Sequence, residues 1–196
     1  MSYLADSFDG RIVELLAGGA VGFMPSDTVY GLSAQALNKP AVQRLHKIKE
    51  RDEHKPFIVL ISDFKMLNML SIDEDAARLA IKYWPGALTI ICSAPRTPLW
   101  LSLGSKTLAI RMPDNDELRE LISKVGPLIS TSANKQGARP VSSANEAQEI
   151  FGSELDFYVD IGKIVGETST IVKPIDGHLK IIRSGTVKID EKEQTV

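Results

Sequence analysis

Residues 130–140, Ser-Thr-Ser-Ala-Asn-Lys-Gln-Gly-Ala-Arg-Pro, place hydroxyl, amide and cationic side chains directly behind the apolar Pro127-Leu128-Ile129. A strand that runs out into small polar residues and then Gly137 turns side-chain and backbone donors outward, which suits an anion or a nucleotide. An ordinary Ser/Gly-rich turn has the same composition for purely local reasons, so composition leaves both readings open. Other segments have a similar character. Pro25-Ser26-Asp27-Thr28-Val29-Tyr30-Gly31-Leu32 sets two hydroxyls, a carboxylate and a phenol before a glycine, although Ser26 or Asp27 could equally cap a short helix. Between His46 and Pro56, Lys49, Arg51 and Lys55 could converge on a polyphosphate, with Arg offering a fork and Lys a point charge. The plainer reading of Lys47 and Lys49 is charge compensation at the C-terminus of a helix. In Thr107-Leu108-Ala109-Ile110-Arg111-Met112-Pro113 the two-residue period puts Thr107, Ala109 and Arg111 on one face of a strand. Ser169-Thr170 and Arg183-Ser184-Gly185 complete the set.

Several standard signatures are missing. There is no Gly-x-x-x-x-Gly-Lys-Ser/Thr, no Gly-x-Gly-x-x-Gly and no Gly-x-Ser-x-Gly, so a P-loop, a dinucleotide fingerprint and a nucleophile elbow are all excluded. His46, His54 and His178 are scattered without partners at metal-ligand spacing, and no protein-held metal is expected. Cys92, inside the run Leu88-Thr89-Ile90-Ile91, reads as a small buried hydrophobe, and a single cysteine forms no internal disulfide.

Positioning these clusters falls to an alternation of helix and strand patterns. Helical spacing occurs at Ile12–Leu16, Val42–Ile48, Ala76–Trp84, Leu118–Val125 and Ala147–Phe151, which predicts five helices. β-type runs occur at Ala20–Met24, Phe57–Ile61, Ala87–Cys92, Thr107–Arg111, Leu128–Ser130, Phe157–Asp160, Thr170–Lys173 and Lys180–Arg183. Strands that follow one another without a helix, around 87–111 and 157–183, predict a mixed sheet in a layered α/β domain. Four of the polar clusters fall at strand ends, where such sheets gather their ligand sites. The 196 residues are 43% apolar and 24% charged, with no repeat or linker, and predict one domain over 1–196, its core at about 10–185 and a frayed charged tail from Lys188. A formal charge of −2 gives no bulk attraction to nucleic acid, so phosphate binding must come from locally placed cations. The first ten residues lack a basic start and an apolar stretch, and no run approaches a membrane span, so a cytoplasmic location is expected.

Taken together, these motifs resemble the short, single-domain L-threonylcarbamoyladenylate synthases of the YrdC/Sua5 family over roughly residues 10–185. The elements that carry the resemblance are Pro25–Leu32, Lys49-x-Arg51, Trp84-Pro85-Gly86-x-x-Thr89, Arg111-x-Pro113, Ser130-Thr131-Ser132-Ala133-Asn134, Ser169-Thr170-Ile171 and Arg183-x-Gly185. The resemblance implies a three-layer YrdC-like domain, a twisted mixed sheet flanked by helices. It also implies synthesis of threonylcarbamoyl-AMP and pyrophosphate from ATP, bicarbonate and L-threonine, a nucleotidyl transfer that begins modification of tRNA adenosine 37. Lys49, Arg51, Ser132 and Asn134 would form the catalytic tetrad around the nucleotide. Lys55, Thr107, Ser142 and Arg183 would join Arg51, Ser132 and Asn134 in holding ATP, and Thr28, Leu60, Arg111 and Ser169 would surround threonine. A Mg2+ would accompany ATP, and the partners implied are the downstream threonylcarbamoyl transferase and, weakly, RNA. The competing reading is a YrdC-like protein that binds RNA or a nucleotide without turnover; an intact tetrad favours the synthase. A hydrogenase-maturation carbamoyl-transfer domain is disfavoured because its zinc-finger and acylphosphatase segments are missing. The chain departs from the family pattern at Ser26, Ala87, Lys135-Gln136 and Lys173, and none of these removes a tetrad residue.

Overall fold

Side-chain alternation decides which residues of the sheet meet the core and which are left for a ligand. In the computed structural model, which describes residues 1–50, 55–72, 77–78, 81–135 and 137–190, ten strands form one sheet. They are β1 (Tyr3–Ala5), β2 (Gly22–Met24), β3 (Gly31–Gln35), β4 (Ile58–Leu60), β5 (Leu88–Ser93), β6 (Thr107–Arg111), β7 (Leu128–Ser132), β8 (Phe157–Val159), β9 (Thr170–Ile175) and β10 (His178–Arg183). Their spatial order is β1-β8-β2-β3-β7-β4-β6-β5-β9-β10. The sheet is mixed, as the sequence predicts: β8 runs parallel to β1 and β2, β4 to β6 and β5 to β9, while the remaining neighbours are antiparallel.

Register sorts the two faces. Ile129, Val59, Ile110, Ile90 and Val172 are successive cross-strand partners on β7, β4, β6, β5 and β9, and all five are fully buried. Burying such a row supplies about 1.5–3 kcal/mol per side chain and fixes the register, because a slip of one residue would turn the row outward. The adjacent row, Ser130, Ile58, Ala109 and Ile91, therefore points to the opposite side, where it lines a cleft.

The helices flanking the sheet begin where the sequence supplies a cap. Asp9, Asn38, Asn115 and Ser143 each accept a backbone N–H three residues ahead and start α1 (Gly10–Ala17), α2 (Lys39–Lys49), α5 (Asp116–Val125) and α6 (Ala144–Phe151). Each buries one apolar stripe, for example Val42, Leu45 and Ile48 of α2. Two short helices, α3 (Lys65–Met69) and α4 (Leu99–Ser102), and two strands, β1 and β3, were not anticipated. Too few residues make up α3, α4 and β1 for any period to show. β3, Gly-Leu-Ser-Ala-Gln, is buried along nearly its whole length and does not alternate. Of the helix expected over 76–84, the described part includes helical residues Ala77 and Arg78 and a 3-10 turn at Ile81–Tyr83; residues 73–76, 79 and 80 lie outside the described residues. The tail expected to fray from Lys188 is docked through its first residues: Ile189 is buried, and the Asp190 N–H donates to the Tyr83 hydroxyl at 3.2 Å. No helix among the described residues is long and apolar enough to cross a membrane.

Candidate functional site

The polar strand ends converge. A cleft of about 560 Å³ opens on the Ser130–Ile91 row, a volume ordinary for a small-molecule site. Its walls come from the β2–β3 turn (Ser26, Thr28, Tyr30), the segment entering β4 (Lys55), the end of β6 (Arg111), β7 (Ser130 to Ser132) and the β9–β10 pair (Ser169, Arg183). Residues 130–132 are thus part of a strand rather than a turn: β7 continues three residues beyond its apolar run, pairing Ser130, Thr131 and Ser132 with Ser33, Leu32 and Gly31 of β3. Gly31 permits this closeness, since a Cβ there would lie 2.9 Å from Ser130 Oγ and 3.0 Å from the Thr131 carbonyl oxygen.

The β2–β3 turn is held from within and caps no helix. Ser26 Oγ donates to the Val29 carbonyl at 2.7 Å and accepts from the Thr28 and Val29 N–H groups, each at 3.3 Å. Asp27 pairs with Arg111, and both side chains are only 6% exposed. Arg111 donates further to Thr28 Oγ1 at 3.1 Å and, through Nε, to the Gly86 carbonyl at 3.2 Å. A guanidinium has five N–H donors in a fork. Three are engaged here, which leaves one on each terminal nitrogen for a ligand carboxylate.

A second hydrogen-bonded chain runs from two buried hydroxyls to the other, more exposed arginine. Thr89 Oγ1 and Ser169 Oγ lie 2.8 Å apart, and Arg183 Nη2 donates to the Ser169 carbonyl at 2.7 Å and to its Oγ at 3.3 Å. Burial lowers the Arg183 pKa from its ordinary value, and the positive charge of Arg111 lowers it further. Two guanidiniums raise the potential of one cleft, and an anion bound there would relieve that repulsion.

Lys49, at the C-terminus of α2, is 3% exposed, so it is not on the solvated face that simple dipole compensation would place it on. Its ammonium donates to the Ser132 carbonyl and to Asn134 Oδ1, and Ser132 Oγ donates to the same Oδ1 at 2.8 Å. A buried ammonium must be compensated in this way. Three of the four tetrad positions therefore meet in one hydrogen-bonded knot; Arg51 lies outside the described residues.

The remaining expected positions divide. Thr28, Lys55, Leu60, Arg111, Ser132, Ser169 and Arg183 line the cleft. Asn134 stands behind Ser132, with its Nδ2 donating to the Ala138 carbonyl. Thr107 lies outside the lining, and its hydroxyl donates to Ser105 Oγ at 3.2 Å. Ser142 also lies outside it, its N–H donating to Glu146 Oε2 at 3.0 Å. Lys135 and Arg139 turn to Glu50, Glu154 and Glu146, and Gln136 is outside the described residues. Cleft residues that sequence reasoning did not single out include Ile58, Ile91 and Ile182, which depend on which strands pair; Ala109, read on one face with Arg111, is in the lining. Tyr30 braces the wall, its hydroxyl donating to the Gly162 carbonyl at 2.7 Å and accepting from the Ile161 N–H at 3.0 Å. Among the described residues, no three His, Cys, Asp or Glu side chains gather as a metal site.

This mixed sheet, with a cationic, hydroxyl-lined cleft on one face, defines the class of protein, and comparison with known proteins gives the family. A family model named for Sua5, YciO and YrdC, and described as "Telomere recombination", matches residues 14–185. The chain belongs to this family. It is 33% identical over 184 residues to a threonylcarbamoyl-AMP synthase of Pyrococcus abyssi, covering 91% of this chain and 54% of that protein. It is 34% identical over 154 residues to a threonylcarbamoyl-AMP synthase of Pseudoalteromonas translucida, covering 76% of this chain and 82% of the other. The structure of P. abyssi Sua5 complexed with L-threonine superposes with a TM-score of 0.83 at 29% identity, covering 94% of this chain and 57% of that one. The chain thus spans little more than half the length of its archaeal relative.

Proposed function

We propose that the chain is a threonylcarbamoyl-AMP synthase, a nucleotidyltransferase that uses L-threonine, bicarbonate and ATP. The observation that carries this reading is the sharing of one cleft by Arg111, with two guanidinium N–H groups left over, and by the cations Lys55 and Arg183. The first suits a substrate carboxylate and the second a polyphosphate. The relatives' names and the threonine complex of P. abyssi Sua5 agree with it.

In this reading Arg111 takes the threonine carboxylate, while Thr28 and Ser169 order the rest of the amino acid. The threonine amine forms a bond to the bicarbonate-derived carbon, losing a proton as water departs, and leaves a carbamate. A carbamate oxygen then bonds to the α-phosphorus of ATP while the bond to the pyrophosphate oxygen breaks. Negative charge builds on the phosphate oxygens, where Lys55, Arg183 and the Lys49–Ser132–Asn134 knot stabilise it; Arg51 is assigned with them on its place in the Lys-x-Arg pair. A Mg2+ carried in on the ATP phosphates would supply further charge neutralisation, and the lining could offer it hydroxyl oxygens such as those of Ser130 and Ser132. No protein nucleophile is needed, and catalysis is positioning plus electrostatics. The product would serve a later transfer of the threonylcarbamoyl group to tRNA adenosine 37.

Incubation of the pure protein with ATP, bicarbonate and L-threonine tests this directly. Threonine-dependent release of pyrophosphate with formation of threonylcarbamoyl-AMP is expected, and its absence with freshly purified, folded protein refutes the proposal. Arg51→Ala and Asn134→Ala should each reduce kcat by roughly 10²-fold or more. Unchanged rates in both would remove the tetrad from the mechanism.

A further inference from the structure

Two lysines cross between the same two segments in opposite directions. Lys49 reaches from the end of α2 to the Ser132 carbonyl and Asn134 Oδ1. Lys135, the residue after Asn134, reaches back to the end of α2, donating to the Ile48 carbonyl at 3.0 Å and to Glu50 Oε1 at 3.1 Å. It also donates to Glu154 Oε2 at 3.3 Å, just beyond α6, and its ammonium lies 5.7 Å from the centre of the Phe151 ring. Lys135 therefore grips the residues immediately before and after Lys49.

That place on the backbone needs holding. Glu50 ends α2 at φ 51°, in the left-handed region, where a side chain other than glycine costs roughly 1–2 kcal/mol. The Ile48 carbonyl is one of the terminal carbonyls that a helix cannot satisfy from within itself, and the Lys135 ammonium satisfies it. The two carboxylates are well exposed, Glu50 at 67% and Glu154 at 50%, so as surface ion pairs they add little to global stability. What the contacts fix is geometry: both ends of a Lys49–Asn134 crossing are tied by one additional side chain.

We infer that Lys135 is a positioning residue for the nucleotide site, holding the Lys49 backbone so that its ammonium and the Ser132–Asn134 turn keep one arrangement. The inference rests on the reading of this cleft as the nucleotide site. It gives a role to a lysine that resemblance alone marks only as a departure from the family pattern, and it acts through Lys49, without contact with the ligand.

The test uses the whole chain as wild type, Lys135→Ala, Lys135→Arg, Glu50→Ala and Lys135→Ala/Glu50→Ala. ATP with Mg2+ and L-threonine are titrated separately by calorimetry, and amide exchange is followed in the segment containing Lys49 and Glu50. Lys135→Ala should weaken ATP binding about five- to tenfold and speed exchange at that segment by a similar factor. L-threonine affinity should stay within about twofold and Tm within a few degrees. Lys135→Arg should restore both affected readouts, and adding Glu50→Ala should worsen them by less than its separate effect. Unchanged exchange at Lys49 and Glu50 in Lys135→Ala overturns the inference, as does faster exchange spread evenly over the protein with a matching fall in Tm. Failure of the synthase reading is distinguishable, since it shows as a wild type that makes no threonylcarbamoyl-AMP, while local exchange decides the role of Lys135 whether or not the chain turns over.

Discussion

Replacing Asp27 by Asn tests how the cleft is held before any substrate arrives. Asp27 uses both oxygens, Oδ1 for Arg111 and Oδ2 for the Asp114 N–H at 3.0 Å. Asparagine keeps the shape but has only one accepting atom, so either Arg111 or Asp114 would face an NH2 group. The guanidinium, only 6% exposed, would also lose its counter-charge. Removing one partner of a buried, hydrogen-bonded pair costs about 3–5 kcal/mol. For a chain of 196 residues each kcal/mol lowers Tm by roughly 2–4 °C, so the lower figure corresponds to a fall of about 6–12 °C. Thermal and urea unfolding at pH 7, compared with wild type, measure this. The double variant Asp27→Leu/Arg111→Met should lose less stability than Asp27→Asn, because it leaves no unpaired buried charge. A loss below about 1 kcal/mol for Asp27→Asn would refute the reasoning, since that is the value of a solvent-exposed pair.

Arg111→Ala should raise the KM for L-threonine by about tenfold or more while moving that for ATP much less, as steady-state titration of each substrate will show; a defect selective for ATP would reverse the assignment. Alkaline pH provides a separate test. Burial, aided by the charge of Glu154, raises the Tyr158 phenol from 10.0 to about 12. Its contribution is therefore fully present below pH 10 and is lost as pH rises towards and through 12. Urea midpoints at pH 9 and 11.5 should show the stability advantage of wild type over Tyr158→Phe shrinking as pH rises, and a constant advantage would show that the phenol does not titrate with unfolding.

The polar strand ends were legible in the sequence because period-two strands and capped amphipathic helices are local patterns. Thr107–Arg111 and the apolar spacings at Val42–Ile48 and Leu118–Val125 illustrate this. Pairing is not a local property. Ser130, Ile58, Ala109 and Ile91 form a row only because β7, β4, β6 and β5 lie side by side in an order unrelated to their order in the chain. β3 escaped notice for a different reason: both of its faces are covered, so small and apolar residues succeed one another without alternation. Residue type did not sort the lysines. Lys49 and Lys135 look alike in sequence, yet one is almost fully buried and the other partly exposed, a difference set by the backbone that carries them.

The spatial order of the strands has a consequence for synthesis of the chain. Strands β4 to β7 supply a central part of the cleft, but β9 pairs with β5 from far along the sequence, and β10 attaches only to β9 at the outer edge. A nascent chain that has emerged only as far as residue 168 would have its Arg111 fork and Ser132 turn available, yet lack Ser169, Ile171 and Arg183. Closing contacts of such long sequence separation is also the slow part of folding for a sheet. On the synthase reading, nucleotide affinity should therefore appear late and abruptly along the growing polypeptide, once the β9–β10 hairpin has docked.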